Sequence, residues 1–130
     1  MSLFEKKLNF KLEYAPYAEQ SYVLNQHPAG TEAKVYRNTT GAIPGPTYGV
    51  VAYLPEPDGT GHALIIEGLN MAATQAAADT LFNPTSIEPV LRAAMLPDGT
   101  LRTFELLVET TSIGATAPGA QIIATRIYSP

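Results

Sequence analysis

Between His62 and Leu81 the chain changes its hydrophobic period across a single glycine. His62-Ala63-Leu64-Ile65-Ile66-Glu67 has the length and composition of a core β-strand, whereas Ala73, Ala76, Ala77 and Leu81 recur at the three-to-four spacing of a helix face. Gly68 stands between the two patterns, and Asn70 is placed to cap the helix. Strand, tight turn and helix in succession are the unit from which α/β sheets are built, and in such folds ligands gather at the carboxyl ends of strands. The pattern predicts an α/β, Rossmann-like domain of two or three layers. In it the strand ending at Glu67 is central, and the alanines bring the helix close to the sheet.

The remaining patterns supply the other elements. Phe10 to Tyr14 and Lys34 to Arg37 alternate apolar and polar residues as half-buried strands do, with a short strand at Tyr22-Val23-Leu24 between them. Tyr48-Gly49-Val50-Val51-Ala52-Tyr53-Leu54 is a nearly continuous apolar run, the mark of a central strand. The Pro-Asp-Gly-Thr at Pro57 leaves no room for a helix before His62, so these two runs form an antiparallel hairpin. Asn83-Pro84 ends the first helix, and a second runs from about Ser86 to Met95 with Pro89 in its first turn. Thr103 to Thr110 and Gln121 to Tyr128 read as a closing hairpin. The expectation is one domain over residues 1–130, with a mixed sheet of about five to seven strands and two helices. Met1-Ser2-Leu3 reads as a cloning remnant on a domain excised from a longer protein and truncated at its amino terminus.

Composition narrows the chemistry. Charged residues are 15% of the chain, against a typical quarter, and the net charge is -4. That balance lacks the basic footprint of nucleic-acid binding. There is no cysteine, which removes disulfides, thiolate metal sites and cysteine nucleophiles together. No apolar run approaches the roughly 20 residues that span a bilayer. The domain is therefore expected to be soluble, a cytoplasmic or periplasmic part of a larger protein, with neither nucleic acid nor membrane as its partner. A charge-poor surface and a sheet without its first strand predict an open edge and a homodimer.

Few residues are candidates for a site. Gly68, Asn70 and Thr74 could hold a small anionic ligand at the helix amino terminus, where unpaired N–H groups carry partial positive charge. The simpler alternative is that Gly68 makes the turn and Asn70 caps the helix. The sequence has neither Gly-x-Gly-x-x-Gly nor Gly-Lys-Thr, so no nucleotide is specified and no cofactor is implied. Glu67 ends an apolar strand and is the kind of carboxylate that burial tunes into a general acid or base. His62 lies nearby, and His27 sits in a proline-flanked loop. Neither has a partner at metal-ligand spacing, so no metal site is read. Ser21, Ser86 and Ser112 are not in a nucleophile elbow. The tyrosines from Tyr14 to Tyr53 suit strand packing or an interface, and Asn38-Thr39-Thr40 matches a glycosylation acceptor.

Phe4-Glu5-x-x-Leu8-Asn9-Phe10, the run Tyr48 to Pro55, the segment Gly59 to Ala77 and Phe104-Glu105-Leu106-Leu107 resemble the carboxyl-terminal domain of uncharacterised, mostly acidobacterial proteins. The resemblance spans nearly the whole chain and brings no assigned activity. It implies an earlier start, with a strand and an Asn-Pro-Trp-like turn before Phe4, and a Glu67-Gly68 pair where that group favours Ala-Gly. Some members resemble sensory proteins with an upstream winged helix and a membrane segment. Taken together, the sequence is read as a non-catalytic ligand-sensing or protein-interaction domain of a larger bacterial protein. The alternative is a small hydrolase or transferase acting on an anionic molecule at residues 66–74, with Glu67 or His62 as its weak catalytic candidates.

Overall fold

The computed structural model describes residues 9–13, 21–37, 45–55, 61–69, 71–112 and 120–128. Its elements in chain order are β1 (Phe10–Glu13), β2 (Tyr22–Asn25), β3 (Val35–Arg37), β4 (Gly45–Pro55), β5 (His62–Gly68), α1 (Met71–Phe82), α2 (Pro84–Ala94), β6 (Phe104–Ser112) and β7 (Ala120–Ile127). The strands form two sheets, one ordered β1-β2-β3 and the other β5-β4-β6-β7, and every pairing is antiparallel.

This corrects the Rossmann-like, mixed-sheet expectation. A strand followed by a helix is common to parallel and antiparallel architectures, and the discriminating fact is where the next strand lies. After α1 and α2 the chain returns as β6 on the far side of β4 and antiparallel to it, so β5 and β6 run the same way but are never paired, and no two neighbouring strands are parallel. The rule that places ligands at strand carboxyl ends belongs to parallel sheets and lapses here. The strand ending at Glu67 is also not central. β5 closes one end of its sheet, and β4 and β6 are the strands flanked on both sides. The predicted hairpins, β4 with β5 and β6 with β7, are present.

Alternation along β4 sorts the core into two layers. Val50, Ala52 and Leu54 join Phe10, Leu12, Val23 and Leu107 between the sheets, while Val51 joins Ala77, Ile87, Val90, Phe104 and Leu106 beneath the helices. The result is helices on one face of the four-stranded sheet and the small sheet on the other. Since β4 and β6 are covered on both faces, their buried stretches Val50 to Leu54 and Leu106 to Val108 are apolar without alternation. A fully buried side chain of this size contributes roughly 1.5–3 kcal/mol relative to exposure.

α1 buries Ala72, Ala73, Ala76, Ala77 and Thr80, so small residues do face the sheet. Their counterpart on the sheet is Gly49. A β-carbon there would stand 2.6 Å from the Ala73 carbonyl oxygen and 3.2 Å from the Ala77 β-carbon. α2 begins two residues before the expected start at Ser86, because Asn83 caps it by accepting from the Thr85 amide at 3.1 Å and Pro84 fills the first position, where no N–H is needed. Pro89 is thus inside the helix rather than in its first turn. The Phe4 to Leu8 segment and the Asn38 acceptor lie outside the described residues. Among the described residues no helix is long and apolar enough to cross a membrane.

Candidate functional site

The polar side chains that the fold gathers are at the seam between the two sheets. β6 turns Leu107 and Glu105 toward the small sheet, because both lie on one side of the pleat. Glu105 is fully buried. Its carboxylate accepts the Asn9 amide at 2.9 Å and the Phe10 amide at 3.0 Å, and Tyr128 donates its hydroxyl to the same group. Burial, and then the bond to Glu105, push the ionisation of Tyr128 up from its ordinary value. A carboxylate taken from water needs such donors to offset its lost hydration.

Opposite Glu105 in the β6–β7 register is Arg126. Its guanidinium grips both oxygens of Glu32, with Nη1 to Oε2 at 3.0 Å, and donates to the His27 carbonyl at 2.9 Å. It also lies over the Phe10 ring, 5.1 Å from its centre. Glu32 further accepts from Asn25 at 2.8 Å and from the Ala29 amide at 3.2 Å. The bond to Arg126 is the chief reason that the Glu32 carboxyl is lowered to about 2. Asn9 completes the chain of contacts, donating to the Asn25 side chain at 2.9 Å and accepting the His27 amide at 2.8 Å. The bonds of Glu105 to Asn9 and Phe10 and those of Arg126 to Glu32 and His27 join segments more than 90 residues apart, whereas those from Asn25 and Ala29 to Glu32 are local.

The residues singled out by the sequence sit elsewhere; Gly68 and Thr74 lie against each other, whereas His62 and Glu67 are on opposite faces of β5. His62 is exposed at the start of β5 and stacks on Tyr53, with ring centres 4.8 Å apart and planes at 2°. Glu67 is half-buried five positions along, its side chain on the opposite face of the strand. Gly68 lies against α1, where a β-carbon would meet the Thr74 amide nitrogen at 2.3 Å and its hydroxyl at 2.6 Å. Positive φ among the described glycines is confined to Gly30 and Gly99, so Gly68 supplies space rather than a left-handed turn. Thr74 is exposed and is the fourth residue of α1, past the amides that a helix start leaves unpaired. Asn70 lies outside the described residues. His27 enters the seam through its backbone.

Glu105 and Arg126 were not singled out by the sequence reading. The available signal was a charged residue in phase with the inward Leu107 and Ala124 of two strands. A hollow of about 290 Å³ opens between β6 and β7, lined by Glu109, Thr110, Thr111, Ala120 and Gln121. It contains none of the predicted site residues. Among the described residues no three acidic or histidine side chains gather in the way a metal ion requires. Comparisons with protein-family models, curated proteins and solved structures found no match.

Proposed function

We propose that the chain is a non-catalytic protein-interaction domain, as part of a larger bacterial protein. The observation that carries this reading is the commitment of the seam. Glu105, Glu32, Arg126, Tyr128, Asn9 and Asn25 bond to one another and to backbone groups, so the richest polar cluster of the described residues works as a clasp between sheets. An acid or base at work in catalysis has to meet a substrate, whereas these groups meet the protein. The strand-turn-helix is closely packed at Gly68, which supports a packing role for that glycine over an anion seat.

The test is a thermal-shift screen of the whole chain with inorganic phosphate, sulfate and nucleotides, because a ligand that binds only the folded state raises its melting temperature by mass action. The interaction reading expects no saturable rise. A saturable rise that Thr74→Val abolishes would move the function to a small-anion site at the start of α1 and overturn the reading.

A further inference from the structure

We infer that two copies of this chain pair through β5, edge to edge and antiparallel, about a two-fold axis at Ile65. The inference deepens the interaction reading and rests on it. Its starting point is the phase of the β4–β5 ladder. The Leu69 amide donates to the Tyr48 carbonyl at 3.0 Å, and Gly68 stands opposite Gly49. In an antiparallel pair, hydrogen-bonded and non-bonded positions alternate, so the odd-numbered residues of β5 turn their backbone groups toward β4. His62, Leu64 and Ile66 turn theirs away. Among the described strands none pairs with that side, because β5 ends the sheet order.

Sheet edges are ordinarily protected by shortness, charge, proline or bulges. The other described edges carry such devices. β1 has four residues and β3 three, and Glu105 occupies amides at the start of β1. β7 has an irregularity opposite Leu107 and Val108, and carries Arg126. β5 keeps perfect register with β4 over seven residues and has no lysine, arginine or proline. Its Leu64 is 49% exposed on the face that carries Ile66.

A second copy suits this edge in a way that follows from the sequence of β5 itself. Pairing about Ile65 sets each Leu64 opposite the other chain's Ile66, so the exposed leucine gains an apolar cross-strand neighbour. The outward backbone groups of Leu64 and Ile66 then face one another as a hydrogen-bonded pair. Glu67, the only carboxylate of the strand, comes opposite Ala63. The two Glu67 positions are four residues apart along the ladder, roughly 13 Å, which exceeds the screening length of about 8 Å at physiological salt. Two chains that each carry a net charge of -4 therefore meet along a strand that carries a single carboxylate. On the helix face the two copies of α1 become neighbours over a continuous eight-stranded sheet.

Sedimentation of the whole chain from sub-micromolar to several hundred micromolar tests this, with Leu64→Pro and Leu64→Lys as variants. Proline at position 64 deletes an outward amide and leaves the β4 ladder intact, since proline is tolerated at a strand edge whose N–H faces outward. Lysine at the same exposed position places charge on the edge and serves if the proline variant fails to fold. The expected result is a monomer–dimer equilibrium in the unmodified chain, weakened at least tenfold in either folded variant. A chain that stays monomeric throughout, or a dimer that both variants leave unchanged, overturns the β5 pairing. Neither outcome touches the thermal-shift result on which the broader interaction reading depends.

Discussion

The carboxylate of Glu105 accepts the backbone amide of Phe10 at 3.0 Å, and this contact ties β6 of the large sheet to β1 of the small one across 95 positions of sequence. Because it also holds the Asn9 amide and the Tyr128 hydroxyl, one buried side chain fixes the spacing of the two sheets. Glu105→Gln keeps the shape but replaces an acceptor oxygen with an NH₂ that faces a donor. Leaving a buried donor unpaired costs about 1–3 kcal/mol, and more where a charged acceptor is lost. Chemical denaturation should show a loss of about 2–3 kcal/mol for this variant, and hydrogen exchange should quicken selectively at Asn9 and Phe10. Uniform quickening across the chain would mean that Glu105 acts on global stability alone.

Stability should fall at both ends of the pH scale for different reasons. The Glu32 carboxyl is held down to about 2, chiefly by Arg126, so its contribution is complete above the ordinary carboxylate value of 4.5 and disappears as pH falls from there toward 2. Discounted for solvent screening, this amounts to roughly 1–2 kcal/mol. Tyr48 and Tyr128 are raised, first by burial and then by Glu109 and Glu105 respectively. Their contribution is present below the ordinary tyrosine value near 10 and fades as pH rises past it. Denaturation midpoints between pH 2 and pH 11 should show both limbs. Glu32→Gln should flatten the acid limb and leave the alkaline one.

Gly49 and Gly68 should be the glycines least tolerant of substitution. An alanine β-carbon at Gly68 would meet backbone atoms of Ala73 and Thr74 at 2.7 Å and 2.3 Å, and backbone cannot step aside as a side-chain tip can. Gly49→Ala and Gly68→Ala should each cost about 3 kcal/mol by overpacking, and Ala77→Phe about 1–3 kcal/mol on the same face. Gly30 has a positive φ of 61° but nothing near its missing side chain, so Gly30→Ala should cost only about 1 kcal/mol of backbone strain. Equal losses at Gly30 and Gly68 in thermal melts would show that α1 is not seated as described.

Much of the local structure was legible because it is written in local signals. The apolar run Tyr48 to Leu54, the alanine spacing of α1 and the Asn83-Pro84 break that ends α1 each specify an element within a few residues. The sheet order was not, since whether the chain returns beside β4 as a parallel or an antiparallel strand depends on contacts far apart in sequence. Gly49 gave a signal that could have been used: a glycine inside an apolar strand marks a close backbone approach. The partners of Glu105 were beyond reach, because Asn9 and Phe10 lie 96 and 95 residues away and offer backbone groups, which any residue type would carry. The ligand site expected at the strand-turn-helix rests on a rule that belongs to parallel sheets. In the antiparallel fold the same glycine is explained by packing.

The register of the β5 pair can be read directly, since the chain has no cysteine of its own. In single-cysteine variants at the exposed positions Leu64 and His62, a two-fold axis at Ile65 places the two copies of residue 64 roughly 7 Å apart along the strands and the two copies of residue 62 roughly 20 Å apart. A bismaleimide that spans about 10 Å between strands at their usual separation should link Leu64→Cys dimers efficiently and His62→Cys dimers hardly at all. Selective linking at residue 64 is the result predicted for an interaction domain that works through β5. Efficient linking at residue 62 without residue 64, or at neither under conditions where the chain sediments as a dimer, would contradict it.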